Sequence, residues 1–281
     1  MSRPLSAQES RLILRLEWEK QPIVTIEESM AILGISSDQA RQVLYRLARR
    51  RWLAPIVPGK YELIPAERGE YAFADTNPLF IGSVLVQPYY FSYATAAFFH
   101  GLSTQAAATV YIATSARREG LLVVREKEYR LVTQPAHKFF GAQDVDAYGS
   151  HVQMAEPEKA VLDCLDRPQH AGDIPEVAAM LWHSMPRSSG HGKGRLNWSV
   201  LADYALRFRS QSLVQRLGYL ADLLSLSMAG EPRERLLRGS GRNTCYLGQP
   251  GRWGRGGAYS ATWRVVDNVP RRELLGDVAV R

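Results

Sequence analysis

One short stretch near the start constrains this chain most: Thr25-Ile-Glu-Glu-Ser-Met-Ala-Ile-Leu-Gly-Ile-Ser-Ser-Asp-Gln-Ala-Arg-Gln-Val-Leu-Tyr-Arg-Leu-Ala-Arg-Arg-Arg51. Thr25 followed by Glu28 spells a capping box, in which each side chain accepts from the other residue's backbone amide, so a helix starts there. Gly34 ends that helix, because glycine takes the left-handed conformation of a helix C-terminus at no steric cost. Ser36 with Gln39 opens a second helix by the same box. On this second helix Ala40, Val43, Leu44 and Leu47 form one apolar stripe, while Gln39, Arg41, Gln42, Tyr45, Arg46 and Arg49 occupy the other faces. No acid occurs between Asp38 and Glu62. Two capped helices joined by a tight turn, the second basic, are the sequence form of a helix-turn-helix.

The flanks extend this reading. Ser6 with Glu9 opens an earlier helix whose Leu12, Ile13 and Leu16 share a face. After the basic helix, residues 53–57 and 60–64 read as two short strands around a Pro58-Gly59 turn. Three helices and a hairpin make a winged helix-turn-helix, with Lys60 on the wing. The turn-rich stretch from Pro65 to Pro78 reads as a linker. The expected fold class is therefore α+β: a winged helix-turn-helix over residues 1–75 and a larger mixed α/β domain over 76–281.

Within the larger part, the sequence predicts a buried helix over 92–101 and a strand over 109–114. A strand pair follows around Glu126-Lys127, then a short strand over 151–155 and a helix opened by Pro157 and stopped before Pro168. Further helices are expected at about 198–209, capped by Asn197, and 211–228, ended by Gly230. Strands are expected at 243–248 and 259–266. Residues 188–194, Ser-Ser-Gly-His-Gly-Lys-Gly, lack the spacing of a phosphate-binding loop and read as a flexible connection. The glycine- and arginine-rich segment 239–257 reads as a mobile hairpin loop, with a path for a nucleic-acid backbone as the alternative.

A formal charge of +7 and a pI near 9.5 suit a polyanionic partner. The two cysteines, Cys164 and Cys245, stand outside metal-ligand spacings. No secretory leader is seen, no apolar run reaches bilayer length, and no membrane association is expected. The expected location is the cytoplasm, with both thiols reduced. No catalytic residue, metal or cofactor is assigned.

In the basic helix, Ser37, Gln39, Arg41, Gln42 and Tyr45 are candidates for base edges, since Gln and Arg make bidentate pairs with adenine and guanine. Arg46, Arg49, Arg50 and Lys60 are candidates for phosphates. For Arg50 and Arg51 a favourable charge at the helix C-terminus is an equal alternative. All of this requires that the arginines stand in solvent, free of carboxylates. Glu156, Glu158, Asp163 and Asp166 raise the alternative of a metal-dependent nuclease guided by the winged helix. Acids are favoured at a helix N-terminus anyway, and Asp163 and Asp166 are expected on the helix's polar side. A protein-interaction module without DNA binding is the remaining alternative.

Met154-Ala-Glu-Pro-Glu-Lys-Ala-Val-Leu-Asp-Cys-Leu-Asp-Arg-Pro168 resembles a hallmark of the AbiEi family, antitoxins of type IV toxin–antitoxin systems associated with abortive phage infection. Tyr93-Ala-Thr-Ala-Ala-Phe-Phe-His-Gly-Leu102, Val110-Tyr-Ile-Ala-Thr114 and Trp263-Arg-Val-Val-Asp-Asn-Val-Pro270 are similar to the same family. The resemblance implies an N-terminal domain that binds inverted repeats in its own promoter as double-stranded DNA and represses transcription. It implies a C-terminal domain that counteracts a cognate nucleotidyltransferase-like toxin, with or without a stable complex. Asp163, Asp166 and Arg167 are then the candidates for antitoxicity.

Overall fold

The computed structural model describes residues 4–68, 74, 77–185 and 194–279. The chain divides into two compact units: residues 1–85 with 123–126, and residues 86–122 with 127–281. The first unit thus runs past residue 75. Of the expected linker, 69–73 and 75–76 lie outside the described residues.

In the first unit α1 (Ala7–Trp18) starts at a complete Ser6/Glu9 capping box and buries Leu12, Ile13 and Leu16. The strand β1 (Ile23–Thr25) leads into α2 (Ile26–Leu33), whose Thr25/Glu28 box is also complete. Gly34 closes α2 at φ 68°, the left-handed region in which a Cβ would be strained. The next helix, α3 (Ser37–Arg49), is capped by Ser36 with Gln39 and buries Ala40, Val43, Leu44 and Leu47. β2 (Leu53–Val57) and β3 (Lys60–Leu63) form the wing, turning at Gly59 with φ 82°. The strand β1, absent from the sequence expectation, pairs antiparallel with β3 (Ile23 with Glu62, Thr25 with Lys60) and makes the sheet three-stranded. Three residues carry no period to read, so pattern alone does not reveal β1.

One core unites these elements: Leu12, Ile13, Leu16, Val24, Leu33, Val43, Leu44, Leu47, Leu53 and Leu63. Burying each such side chain contributes about 1.5–3 kcal/mol. That exceeds what the caps add, about 1 kcal/mol each. The caps set where the helices begin, and the apolar stripe sets which face of α3 is left outward. A short α4 (Pro78–Ser83), capped by Asn77, completes the unit.

The large sheet consists of β4 (Tyr89–Phe91), β5 (Thr109–Thr114), β6 (Gly120–Val124), β7 (Lys127–Thr133), β8 (Ala142–Ala147) and β9 (Ser150–Ala155), all of the second unit except the last two residues of β6. Its order is β6-β7-β5-β4-β9-β8. β5 runs parallel to β7 and β4 parallel to β9, and the β4–β5 and β8–β9 pairs are antiparallel. The helices α5 (Tyr93–Phe99), α6 (Pro157–Asp166), α7 (Ile174–Ser184), α8 (Trp198–Arg207) and α9 (Gln211–Leu223) accompany it. Pro157 stands at the first turn of α6, where its missing N–H is no loss. The helix α7 is buried along most of its length, so no amphipathic period announces it.

The C-terminal part corrects two expectations. The helix expected to 228 ends at Leu223, and Gly230, at φ 68°, instead precedes α10 (Glu231–Gly239). The segment 239–257 is folded rather than a loose loop. β10 (Cys245–Tyr246), a short α11 (Pro250–Trp253), β11 (Ala258–Ser260) and β12 (Val265–Asp267) follow, and then α12 (Arg271–Ala279). The three strands form a second sheet, β10-β12-β11. Glycines permit close approach around it: a Cβ on Gly257 would run into the Asp267 carbonyl, and one on Gly218 of α9 into the fully buried Trp263 ring. The flexible connection expected at 188–194 falls almost wholly outside the described residues.

Candidate nucleic-acid interface

The core packing of α3 leaves Asp38, Arg41, Gln42, Tyr45 and Arg49 exposed. They recur at helical spacing and so form one stripe along the outward side. Tyr45 is 61% exposed. Arg41 stands 3.8 Å from Asp38, an open pair one turn apart. Such a pair is worth little in water and does not hold Arg41 in place. Ser37, at the first turn, is half-buried. Gln39 is exposed, but its carbonyl accepts from the Ser36 amide at 3.0 Å, so it serves the cap rather than a base.

Three expected phosphate ligands are placed otherwise. Glu9 of α1 is buried, and its carboxylate takes Arg46 Nε at 3.0 Å and Arg50 Nη1 at 2.6 Å. Arg50 also donates to the Pro4 carbonyl at 3.0 Å. Burial alone would raise the Glu9 pKa; the Ser6 amide, the Arg46 bond and the Arg50 charge outweigh it and hold the pKa below the ordinary value. A buried carboxylate needs such partners, since desolvating it unpaired costs several kcal/mol. Arg46 and Arg50 are therefore struts between α1 and α3. Lys60 does not project from the wing tip: its ammonium donates to the Val84 carbonyl at 2.6 Å, at the C-terminus of α4, where a cation is favoured. Sequence reading misses Glu9 because its visible role, the capping box of α1, hides a second one made across a separation of 37 residues.

The second unit brings the family-like residues together differently from expectation. Asp163 is not on a polar face. It is fully buried and paired with the equally buried Lys159 one turn away on α6. Its carboxylate also accepts from Ser92 Oγ at 2.6 Å and Gln134 Nε2 at 2.9 Å. Gln134 donates in turn to Tyr93 OH at 3.0 Å and accepts from Tyr90 OH at 2.6 Å. The Lys159 ammonium lies 4.7 Å from the Phe208 ring centre and 5.2 Å from that of Tyr90. Burial lowers its pKa against the pull of Asp163, and burial followed by the Asp163 charge drives both tyrosine pKa values well up. The cluster locks α6 to β4 and to the segment after β7.

Asp166 is mostly buried and holds Lys138 Nζ at 2.7 Å. Arg167, one-third exposed, donates to the Thr133 carbonyl at 3.2 Å and faces Glu119 at 3.6 Å. Glu158 accepts from the Asn197 amide at 2.9 Å, and Glu156 binds the Tyr204 hydroxyl, whose pKa that bond and burial push up to about 12. All four acids on which a nuclease reading depends thus have internal partners. Among the described residues no three His, Cys, Asp or Glu side chains converge as a metal site needs, and no helix is long and apolar enough to cross a membrane.

No family model and no curated protein matches the chain. Among solved structures, the RV2827C protein of Mycobacterium tuberculosis is similar over 99% of this chain and 96% of its own, with a TM-score of 0.63 and 20% identity. At that identity the likeness is one of fold. The α+β class, with helices leading and a larger mixed sheet unit behind, is shared with that protein along its length.

Proposed function

We propose that this protein is a duplex-DNA-binding autorepressor and the antitoxin of a type IV toxin–antitoxin system, acting in the cytoplasm against a nucleotidyltransferase-like toxin. The DNA-binding half rests on one observation: α3 of a winged helix-turn-helix leaves Arg41, Gln42, Tyr45 and Arg49 outward, with no acid but Asp38 on that stripe. A helix so furnished fits the major groove, where Gln42 and Arg41 reach base edges and Arg49 meets phosphate. The face is smaller than the sequence implied, since Arg46, Arg50 and Lys60 have structural duties. The antitoxin half rests on the residues 93–102, 110–114, 154–168 and 263–270 that resemble AbiEi. Asp163 supports it as a folding determinant; Asp166 and Arg167 are partly engaged, and Arg167 retains accessible surface.

Two experiments test the two halves separately. Fluorescence anisotropy with the duplex immediately upstream of this reading frame is expected to give saturable binding that Arg41→Ala/Gln42→Ala weakens by at least about tenfold. Binding that this change leaves undiminished overturns the placement of the DNA face, and no binding by the wild-type protein returns the winged helix to a protein-docking role. For the second half, co-expression is expected to relieve growth arrest caused by an adjacent nucleotidyltransferase-like reading frame. Arrest that persists in the presence of the folded protein overturns the antitoxin assignment.

A further inference from the structure

The small sheet β10-β12-β11 carries chemistry that the proposed function does not use. Tyr246 pairs with Val266 across β10 and β12, and Tyr259 pairs with the same Val266 across β11 and β12. Directly opposed residues point to one side of a sheet, so Tyr246, Val266 and Tyr259 stand abreast on a single face. The other face is spoken for: Val265 is fully buried, and Asp267 accepts from Tyr219 OH of α9 at 2.7 Å. The tyrosine face is open. Tyr259 is 56% exposed, and Tyr246 and Val266 are half-buried.

Charge surrounds this row on both sides. Residues 235–266 contain no Asp or Glu but hold Arg235, Arg238, Arg242, Arg252, Arg255 and Arg264. β10 is parallel to β12, so Arg242, just before β10, belongs to the end where β12 begins. Arg264 lies there too, donating to the Gly241 carbonyl at 3.2 Å. β11 is antiparallel to β12, so Arg255, just before β11, belongs to the opposite end. Arg242 and Arg255 are exposed and have no carboxylate within ion-pair distance among the described residues. Arg252 is held at 3.1 Å by Asp173 and counts for less.

We propose that the face bearing Tyr246 and Tyr259, flanked by Arg242 and Arg255, binds single-stranded nucleic acid. Aromatic rings on an open sheet stack unpaired bases, and arginines at the two strand ends meet the phosphates on either side. A duplex presents no free base faces, so the partner differs from that of α3. The arginines favour a polyanion over an apolar protein surface, and each stacked base is worth about a tenfold change in affinity.

The test is anisotropy of the full-length protein with a fluorescein-labelled uridine 15-mer, titrated with salt. The wild-type protein should bind, Tyr259→Ala about tenfold more weakly, and Tyr259→Phe nearly as the wild type, since a phenyl ring still stacks. Arg242→Ala/Arg255→Ala should lower the slope of log affinity against log salt by roughly 1.4, about 0.7 for each single-strand phosphate they neutralise. Arg41→Ala/Arg49→Ala on α3 should leave this binding unchanged, which separates the site from the duplex site. Absence of binding, indifference to Tyr259→Ala, or loss through the α3 change would each overturn the proposal.

Discussion

Single residues decide which arginines remain available. Glu9 is the clearest case, a carboxylate that caps its own helix and gathers Arg46 and Arg50 from another. Glu9→Gln should destabilise the first unit by about 1–2 kcal/mol, less than for a fully buried pair because both arginines are part-exposed, and a lowered thermal midpoint would register it. The pKa of Glu9 is depressed, so its contribution is present above the ordinary glutamate value of about 4.3 and is lost as pH falls through the folded value. Acid titration of unfolding should show this step in the wild type and not in Glu9→Gln. Asp163 is the counterpart in the second unit. Asp163→Asn leaves the Lys159 ammonium buried without its charge partner, and calorimetry should record a loss of about 3–5 kcal/mol. Asp166→Asn, whose lysine partner is less deeply placed, should cost less.

At the scale of elements, caps and turns are the legible part. Ser6/Glu9, Thr25/Glu28 and Ser36/Gln39 mark helices that start where the side chains say they should, because both halves of each box lie within four residues. The strand β5 is readable because Thr109, Val110 and Ile112 are β-branched and regularly placed. What escapes the sequence shares a physical cause. β1 and β4 exist only through partners distant in sequence, and α6, which reads as two-faced, is buried nearly all round. Likewise the sequence shows that Lys60 is basic but not that Val84 will receive it. Leu44→Ala, at the centre of the α3 stripe, should cost about 2–5 kcal/mol and abolish DNA binding through unfolding. The histidine that packs between Tyr93 and Tyr111 gives a pH signature to the second unit. Burial, then Arg167 and Arg130, lower the pKa of His170 to about 4. The unfolded chain therefore takes up a proton that the native state refuses, and stability should fall as pH drops from about 6.5 towards 4. Denaturant midpoints across that range check it, with His170→Gln flattening the trend.

For the molecule as a whole, the net charge of +7 says little about where a polyanion would bind. Many of the 35 Lys and Arg side chains are paired internally, by Glu9 under Arg46 and Arg50, by Asp222 beside Arg233, by Asp203 beside Arg235 and by Asp173 beside Arg252. Two accessible basic surfaces combine charge with groups that read or stack bases: the outward stripe of α3 in one unit and the tyrosine face in the other. The central claim is that Arg41 and Arg49, and not Arg46, carry the charge that meets duplex DNA. Its most direct test is the salt dependence of binding to a random-sequence 30-base-pair duplex. Arg41→Ala/Arg49→Ala should reduce the slope of log affinity against log salt by about 0.9, for the phosphate that Arg49 no longer neutralises, while Arg46→Ala lowers thermal stability and leaves the slope alone. An unchanged slope in the double variant, or a reduced one in folded Arg46→Ala, would contradict the account.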